Sequence, residues 1–356
     1  MQIYLVYGGK SAEHQLSVAA AFAVLNVIDF QQYQVRLIYV TKTGTWLQGP
    51  LLDQTVKTSQ DLMLQPVAAP TRTGGLIGQA MIPGNFRAQD AIIFPLIQGR
   101  SGEDGKLQGL LEILGLPYVG AGVLASAIGM DKIASKLIFQ QLGLPQVPFL
   151  PILKNQWQLD AMKVLQQCEG ALLYPMYVKP ANSGSSVGIS QVRDRNSLQT
   201  AVELAFQYDQ RILVEQGIEA RELEVGVMGN QQLEVSGAGE ILKDSLFFDT
   251  QSKLTPAQPE LAIPADIPVE VEQKMQAYAK RAFALIGGSG IARCDFFLTA
   301  NNTIFLNEIN TILNLDPRAM FARLWRLKGY TQERLIQHLL HLALERYEQQ
   351  APTTNQ

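Results

Sequence analysis

Short apolar runs alternate with amphipathic ones along this chain, and the alternation predicts its architecture. Ile3–Tyr7 is apolar and stops at Gly8-Gly9, and Val18–Val27 follows at helical spacing. Val35–Val40, Ala91–Leu96 and Leu116–Val119 read as further strands, with a helical pattern at Gly105–Leu114 between the last two. Strands alternating with helices predict a Rossmann-like parallel sheet covered on both faces, over residues 1–120. Within it, residues 45–88 are rich in Gly, Gln, Pro and Thr and read as a long excursion, partly a hairpin.

Leu124–Leu142 reads as one helix, stopped by Gly143 with Pro145 and Pro148 beyond. Ala171–Lys179 reads as a strand leading into a Ser/Gly-rich loop, followed by a helix at Leu198–Tyr208 and a strand at Arg211–Gln216. These make a central α+β unit over 121–214. A third unit over 215–348 opens with strands Leu223–Met228 and Gln231–Ala238 around Gly229-Asn230, and continues with a helix at Val269–Ile286. Ile291–Leu298 and Thr303–Glu308 form a predicted hairpin, and Thr331–Tyr347 a closing helix that Thr331 can cap. Residues 349–356 form a polar tail.

Composition narrows the function classes. A chain of 356 residues predicts two or three packed units. Its net charge of −3 argues against a nucleic-acid binder. Cys168 and Cys294 are far apart in sequence, which fits buried thiols in a reducing compartment. The N-terminus lacks the pattern of a signal peptide and no run of about 18 apolar residues occurs, so a cytoplasmic protein without a membrane span is expected.

Three segments could hold phosphate or metal. Gly8-Gly9-Lys10-Ser11 resembles the end of a P-loop, but Tyr4 stands where that pattern needs Gly. What remains is a strand-to-helix turn, with Glu13 and His14 at its far end and His14 read as packing the turn. Gly120-Ala121-Gly122-Val123-Leu124-Ala125 matches a dinucleotide fingerprint, but no acidic residue ends a second strand about 20 residues on. The third is Lys179 with Pro180–Gly188: a lysine beside a loop whose backbone N–H and hydroxyl donors suit phosphate oxygens. Further on, Arg293-Cys294-Asp295 and Asn307-Glu308-Ile309-Asn310 lie on the two strands of the late hairpin. Pairing them could set Asp295 beside Glu308. Two carboxylates at about 4 Å repel by about 4 kcal/mol at an effective dielectric of 20, unless a cation such as Mg²⁺ neutralises them. On their own they are equally two solvent-facing acids.

Nine ordered segments carry a resemblance to a known family. They are Tyr7–His14 (YGGKSAEH), Gly102–Gly109 (GEDGKLQG), Leu116–Gly122 (LPYVGAG), Met130–Lys132 (MDK), Val178–Gly188 (VKPANSGSSVG), Val214–Gln216 (VEQ), Arg221–Val225 (RELEV), Ala292–Phe297 (ARCDFF) and Leu306–Thr311 (LNEINT). In this set the chain resembles D-alanine–D-alanine ligases of the ATP-grasp superfamily over nearly its whole length. The resemblance implies a three-domain ATP-grasp architecture, ATP and two Mg²⁺ (or Mn²⁺) ions, amino-acid substrates, a role in peptidoglycan precursor synthesis, and a homodimer. It implies that Lys132 and Lys179 hold ATP phosphates, that Glu215, Gln216 and the chain through Ile218 hold adenine, and that Glu222 binds the ribose. Ser185 and Ser186 would lie in a loop over the γ-phosphate and Lys253 in a second lid segment. Asp295, Glu308 and Asn310 would bind the metal ions, Arg293 would stabilise the transferring phosphoryl group, and Glu13 would grip the ammonium of the first substrate.

The chain departs from the family pattern on the acceptor side and in the lid. Gln98 stands where His is usual, Leu254 follows Lys253 where Tyr is usual, Leu313-Asn314 replaces Pro-Gly, and Ala319 replaces Ser. Asn314 tolerates the backbone of the missing Gly better than most residues, and Arg318 could supply a carboxylate contact in place of the serine. These changes keep open a related ligase with another acceptor, such as a hydroxy acid, or a nearly inactive nucleotide-binding paralogue.

Overall fold

The computed structural model of the chain describes residues 1–67, 76–82, 86, 91–184, 186–242 and 260–350. Its described strands form three sheets. The first contains β1 (Gln2–Gly8), β2 (Gln34–Val40), β3 (Trp46–Leu52), β4 (Gln65–Pro66), β5 (Ile77–Ala80) and β6 (Ala91–Pro95), ordered β4-β5-β3-β2-β1-β6. β1 pairs in parallel with β2 and β6, as the alternating pattern predicts. Ile3, Leu5, Val6 and Tyr7 are all buried, because a central parallel strand is covered on both faces. The excursion does form antiparallel strands: β3 pairs with both β2 and β5. Leu116–Val119 makes only one bridge, Tyr118 to Ile93; Pro117 has no N–H to extend a ladder.

The second sheet has β7 (Phe149–Leu153), β8 (Met176–Pro180), β9 (Ser190–Val192) and β10 (Arg211–Gln216), all antiparallel, in the order β7-β10-β8-β9. The third has β11 (Arg221–Gly229), β12 (Leu233–Leu242), β13 (Glu260–Ala262), β14 (Gly290–Leu298) and β15 (Ile304–Asn310), in the order β13-β12-β11-β14-β15. The α/β and α+β content expected from sequence is therefore present.

The helices are α1 (His14–Leu25), α2 (Lys106–Ile113), α3 (Val123–Met130), α4 (Lys132–Gln141), α5 (Lys154–Leu159), α6 (Ala161–Ala171), α7 (Arg195–Ala205), α8 (Val269–Leu285), α9 (Met320–Leu327) and α10 (Gln332–Gln350). Two expectations change here, and three helices are new. The single helix over 124–142 is two, broken at Asp131, whose backbone is extended and whose carboxylate caps α4 by accepting from the N–H groups of Ile133 and Ala134. An aspartate competes with helical backbone but suits a cap. The strand expected from Ala171 starts at Met176, and Ala171 instead ends α6; a short apolar run does not distinguish the two. Helices α5, α6 and α9 have no counterpart in the sequence reading.

α4 joins two cores. Phe139 packs with Val225, Phe283, Phe296 and Leu306 around the third sheet, while Ile133 packs with Ala181 and Leu213 of the second. α10, capped by Thr331 Oγ1 at 3.3 Å from the Arg334 N–H, returns to the first sheet. Its Leu335, Ile336, Leu339 and Leu340 share one core with Ile3 and Leu5. Arg346 of α10 is buried over the Tyr118 ring at 3.9 Å and donates to the carbonyls of Gly120 and Tyr118 and to Ser289 Oγ.

Candidate active site

α4 and β8 bring cations to one carboxylate. Lys132 and Lys136 lie four residues apart, on one face of α4. Lys136 Nζ is 2.6 Å from Glu215 Oε1, and Lys179 Nζ pairs with Glu215 Oε2. Lys136 and Glu215 are 1% and 2% exposed, so the ion triad is almost wholly dry. Burial alone would raise the Glu215 carboxyl, but Lys136 and Lys179 overcome it and hold it down to about 2. Burial pulls Lys136 below its ordinary value, whereas Glu215 outweighs burial at Lys179 and lifts it. Gln216 accepts from the Leu173 N–H through its side chain, and Ile218 follows in the chain leaving β10.

Lys132 extends the other way. Its ammonium donates to the Ser183 carbonyl at 2.7 Å and lies 3.7 Å from Glu308 Oε2. It thus touches both the serine loop and the acidic hairpin. Ser183 Oγ donates to the Val187 carbonyl across the loop, and Ser186 holds φ at 60°, a left-handed backbone that non-glycine residues rarely take. Ser185, Lys253 and Leu254 lie outside the described residues.

The hairpin does set Asp295 opposite Glu308 and Arg293 opposite Asn310, through a register shift between Asp295 and Phe296 without which Asp295 would face Asn307. Across the other edge of β14, Glu224 faces Asp295 and Glu222 faces Phe297. Arg293 clamps Asp295 with two hydrogen bonds of 2.7 Å and lies 3.1 Å from Glu224. Asn310 Nδ2 donates to Asp295 Oδ2 at 3.0 Å. Burial pushes the Asp295 carboxyl up to about 6; Arg293 opposes this and Glu308 adds to it. These donors are hard oxygens, as Mg²⁺ prefers, and two carboxylates with an amide leave the remaining positions to phosphate and water. Among the described residues no group of three or more His, Cys, Asp or Glu could hold a metal ion.

Glu13 sits at the start of α1, opposite the serine loop. A Cβ at Gly99 would stand 2.2 Å from its Oε2, and one at Gly184 3.0 Å from its Oε1. Glycine at both positions lets the two loops close on this carboxylate. Ser11 Oγ donates to the Gln98 carbonyl and accepts from the Glu13 N–H. His14 is buried and bonds to the Gly9 carbonyl and the Tyr39 hydroxyl, so it packs the turn as expected. The cleft beside Glu13 has about 380 Å³ and is lined also by Lys10, Arg100, Ser183 and Tyr208. Glu103, partly buried nearby, has its carboxyl pushed up to about 8, by burial first and then by Glu13.

The acceptor-side positions are more scattered. Gln98 is 7% exposed and its side-chain Nε2 has no hydrogen-bond partner among the described residues. Asn314 Oδ1 accepts from the Asp316 N–H. Arg318 is tied to Asp316 by two bonds of 2.9 Å, with its side chain 74% exposed. Ala319 occupies the N-cap of α9 without a side-chain cap. The sequence reading did not single out Lys136, Glu103, Asp131 or Arg100; Glu103 and Asp131 lay within two of the matched segments, and Lys136 stood at helical spacing from Lys132.

Comparison with known proteins agrees with this arrangement. Family profiles described as D-ala D-ala ligase N-terminus and C-terminus match residues 2–121 and 138–341. D-alanine–D-alanine ligase of Enterococcus hirae is 50% identical over 349 residues, covering 98% of each chain. That of Enterococcus gallinarum is 51% identical over 323 residues, 91% of this chain and 99% of that one. Among solved structures, the D-alanine–D-alanine ligase of Coxiella burnetii superposes with a TM-score of 0.81 at 29% identity, covering 98% of this chain and 95% of that one. The VanG D-Ala:D-Ser ligase of Enterococcus faecalis gives 0.80 at 27%, covering 96% and 99%. With both halves matched, half of its residues shared with a relative of equal length, and the lysine–glutamate triad set against the acidic hairpin, the chain belongs to the D-alanine–D-alanine ligase family, on the ATP-grasp fold.

Proposed function

We propose that this protein joins two molecules of D-alanine at the expense of ATP, giving D-alanyl-D-alanine, ADP and phosphate for peptidoglycan precursor synthesis. The observation that carries it is the convergence of Lys132, Lys179 and Glu215 on the hairpin of Asp295, Glu308 and Asn310. A free carboxylate is a poor acylating agent. Transfer of the γ-phosphoryl to the first D-alanine gives an acyl phosphate, which the amine of the second attacks with loss of phosphate. Such a transfer depends on positioning and charge neutralisation more than on covalent help.

In this reading Glu13 holds the first ammonium, and Lys132 and Lys179 hold the phosphates. Glu215, Gln216 and the backbone to Ile218 frame adenine, and Glu222 takes the ribose hydroxyls. Ser185 and Ser186 cover the γ-phosphate, and Lys253 belongs to the second lid. Asp295, Glu308 and Asn310 would hold two Mg²⁺ or Mn²⁺ ions, which supply charge neutralisation to the phosphates when bound. Arg293 turns from Asp295 to the transferring phosphoryl group. Gln98, Asn314, Arg318 and Ala319 form the acceptor side. The enzyme acts in the cytoplasm as a homodimer. Among the described residues no helix is long and apolar enough to cross a membrane.

The test is phosphate release from ATP and Mg²⁺ with D-alanine, read together with product mass against D-serine and D-lactate as competing acceptors. Formation of D-alanyl-D-alanine as the main product is expected. No turnover at millimolar D-alanine, or a clear preference for another acceptor, would overturn the assignment.

A further inference from the structure

Arg100 lies in the loop after β6, on the first sheet's side of the cleft, yet among the described residues its hydrogen bonds go to the second sheet's side. Its Nε donates to the Asn182 carbonyl at 3.1 Å and its Nη2 to the Tyr208 carbonyl at 2.7 Å. Asn182 opens the serine loop; Tyr208 lies just before β10, and its ring packs against Gly188, where a Cβ would stand 2.8 Å from it. One planar guanidinium therefore ties the start of that loop to the segment whose Tyr208 ring packs on its far end, a span that the point charge of a lysine cannot match.

The gripped segment is itself a block. Asp209 accepts from the Asn182 N–H at 2.8 Å and from its side-chain amide at 3.2 Å. The same amide donates to Asp131, which caps α4 and pairs with Arg211. Lys132, the first residue of α4, donates to the Ser183 carbonyl. Asp131, Asp209 and Arg211 sum to one negative charge, and Arg100, 4.0 Å from Asp209, balances it. Because Arg100 is 54% exposed, the ion pair itself contributes little, and the grip comes from the two carbonyl bonds.

We propose that Arg100 is a positioning residue: it fastens the serine loop to the first sheet's side of the cleft and so keeps water from the acyl phosphate. The proposal rests on reading that loop as the cover of the transferred phosphate. Water attacking the acyl carbon breaks its bond to the phosphate oxygen and returns the free carboxylate and phosphate. A loosened loop thus consumes ATP without making amide.

The experiment compares the full-length enzyme with Arg100→Ala and Arg100→Lys. Hydrogen exchange at the 182–188 amides quickens in Arg100→Ala, and phosphate released per dipeptide rises roughly 5- to 100-fold, as expected when two hydrogen bonds of ordinary net worth are lost. Arg100→Lys restores little of either, although it keeps the charge. Wild-type exchange in Arg100→Ala overturns the latch. Faster exchange with one phosphate still released per dipeptide overturns its role in excluding water. The reading of the loop fails separately, if Lys179→Met keeps its wild-type KM for ATP.

Discussion

Glu215 is the residue on which most of the buried charge turns, because two ammonium groups with little access to water depend on it. Removing one partner of a buried ion pair costs about 3–5 kcal/mol. Glu215→Gln is expected to lose stability in that range, read as a fall in the urea midpoint at unchanged slope. Its depressed carboxyl also fixes a pH dependence. A carboxyl lower in the folded than in the unfolded chain stabilises above the ordinary carboxylate range, and that stability is lost as pH falls toward about 2. The difference in stability between wild type and Glu215→Gln should therefore shrink between about pH 4.5 and pH 2. Glu103 runs the other way. Its carboxyl is raised to about 8, so wild type loses stability relative to Glu103→Gln as pH climbs from the ordinary carboxylate range to about 8. A difference that stays flat across that window would show that Glu103 is ionised in the folded protein at neutral pH.

At the scale of elements, helix starts differ in whether a side chain caps them. α9 starts at Ala319, whose extended backbone (φ −67°, ψ 152°) suits a cap that its side chain cannot make. Ala319→Ser is expected to add about 1 kcal/mol, seen as a higher urea midpoint with the same slope. Asp131→Ala should cost about 2 kcal/mol, since it removes the α4 cap and also partners of Asn182 and Arg211. It should raise the KM for ATP as well, because Lys132 follows Asp131 directly. The hairpin of β14 and β15 was legible in the sequence, with two-residue alternation placing Asp295 with Arg293 and Glu308 with Asn310; the register shift between Asp295 and Phe296 that sets Asp295 opposite Glu308 was not. The break at Asp131 was not legible either, because apolar spacing runs on through it and hides the cap that Asp131 makes where α4 turns to meet two sheets. The pairing of Lys136 with Glu215 was also hidden. It joins a helix to a distant strand, and a lysine at helical spacing reads equally as solvated surface.

For the whole molecule, the ordered motifs made the family legible, while the connection of its parts came only from packing. The last helix belongs to the core of the first sheet, and local periodicity carries no sign of such a partnership. Saturating ATP should raise stability by about 2.7 kcal/mol at a hundredfold excess over Kd, since binding favours the folded state that assembles the site. A calorimetric midpoint that did not move with ATP would count against an assembled nucleotide site.

The return of α10 also dictates an order of events during synthesis. Ile3 and Leu5 are made about 330 residues before Leu335–Leu340, which complete their core. At about 5–20 residues per second, the interval is roughly 15–70 s. For that time the first sheet carries an apolar face whose intended cover has not been translated. The core of the second sheet, drawn from Ile152 to Val214, has no such wait. The nascent chain is therefore expected to need shelter by a holding chaperone at its oldest segment, and to become independent of it only when the final turn of α10 sets Arg346 against Tyr118.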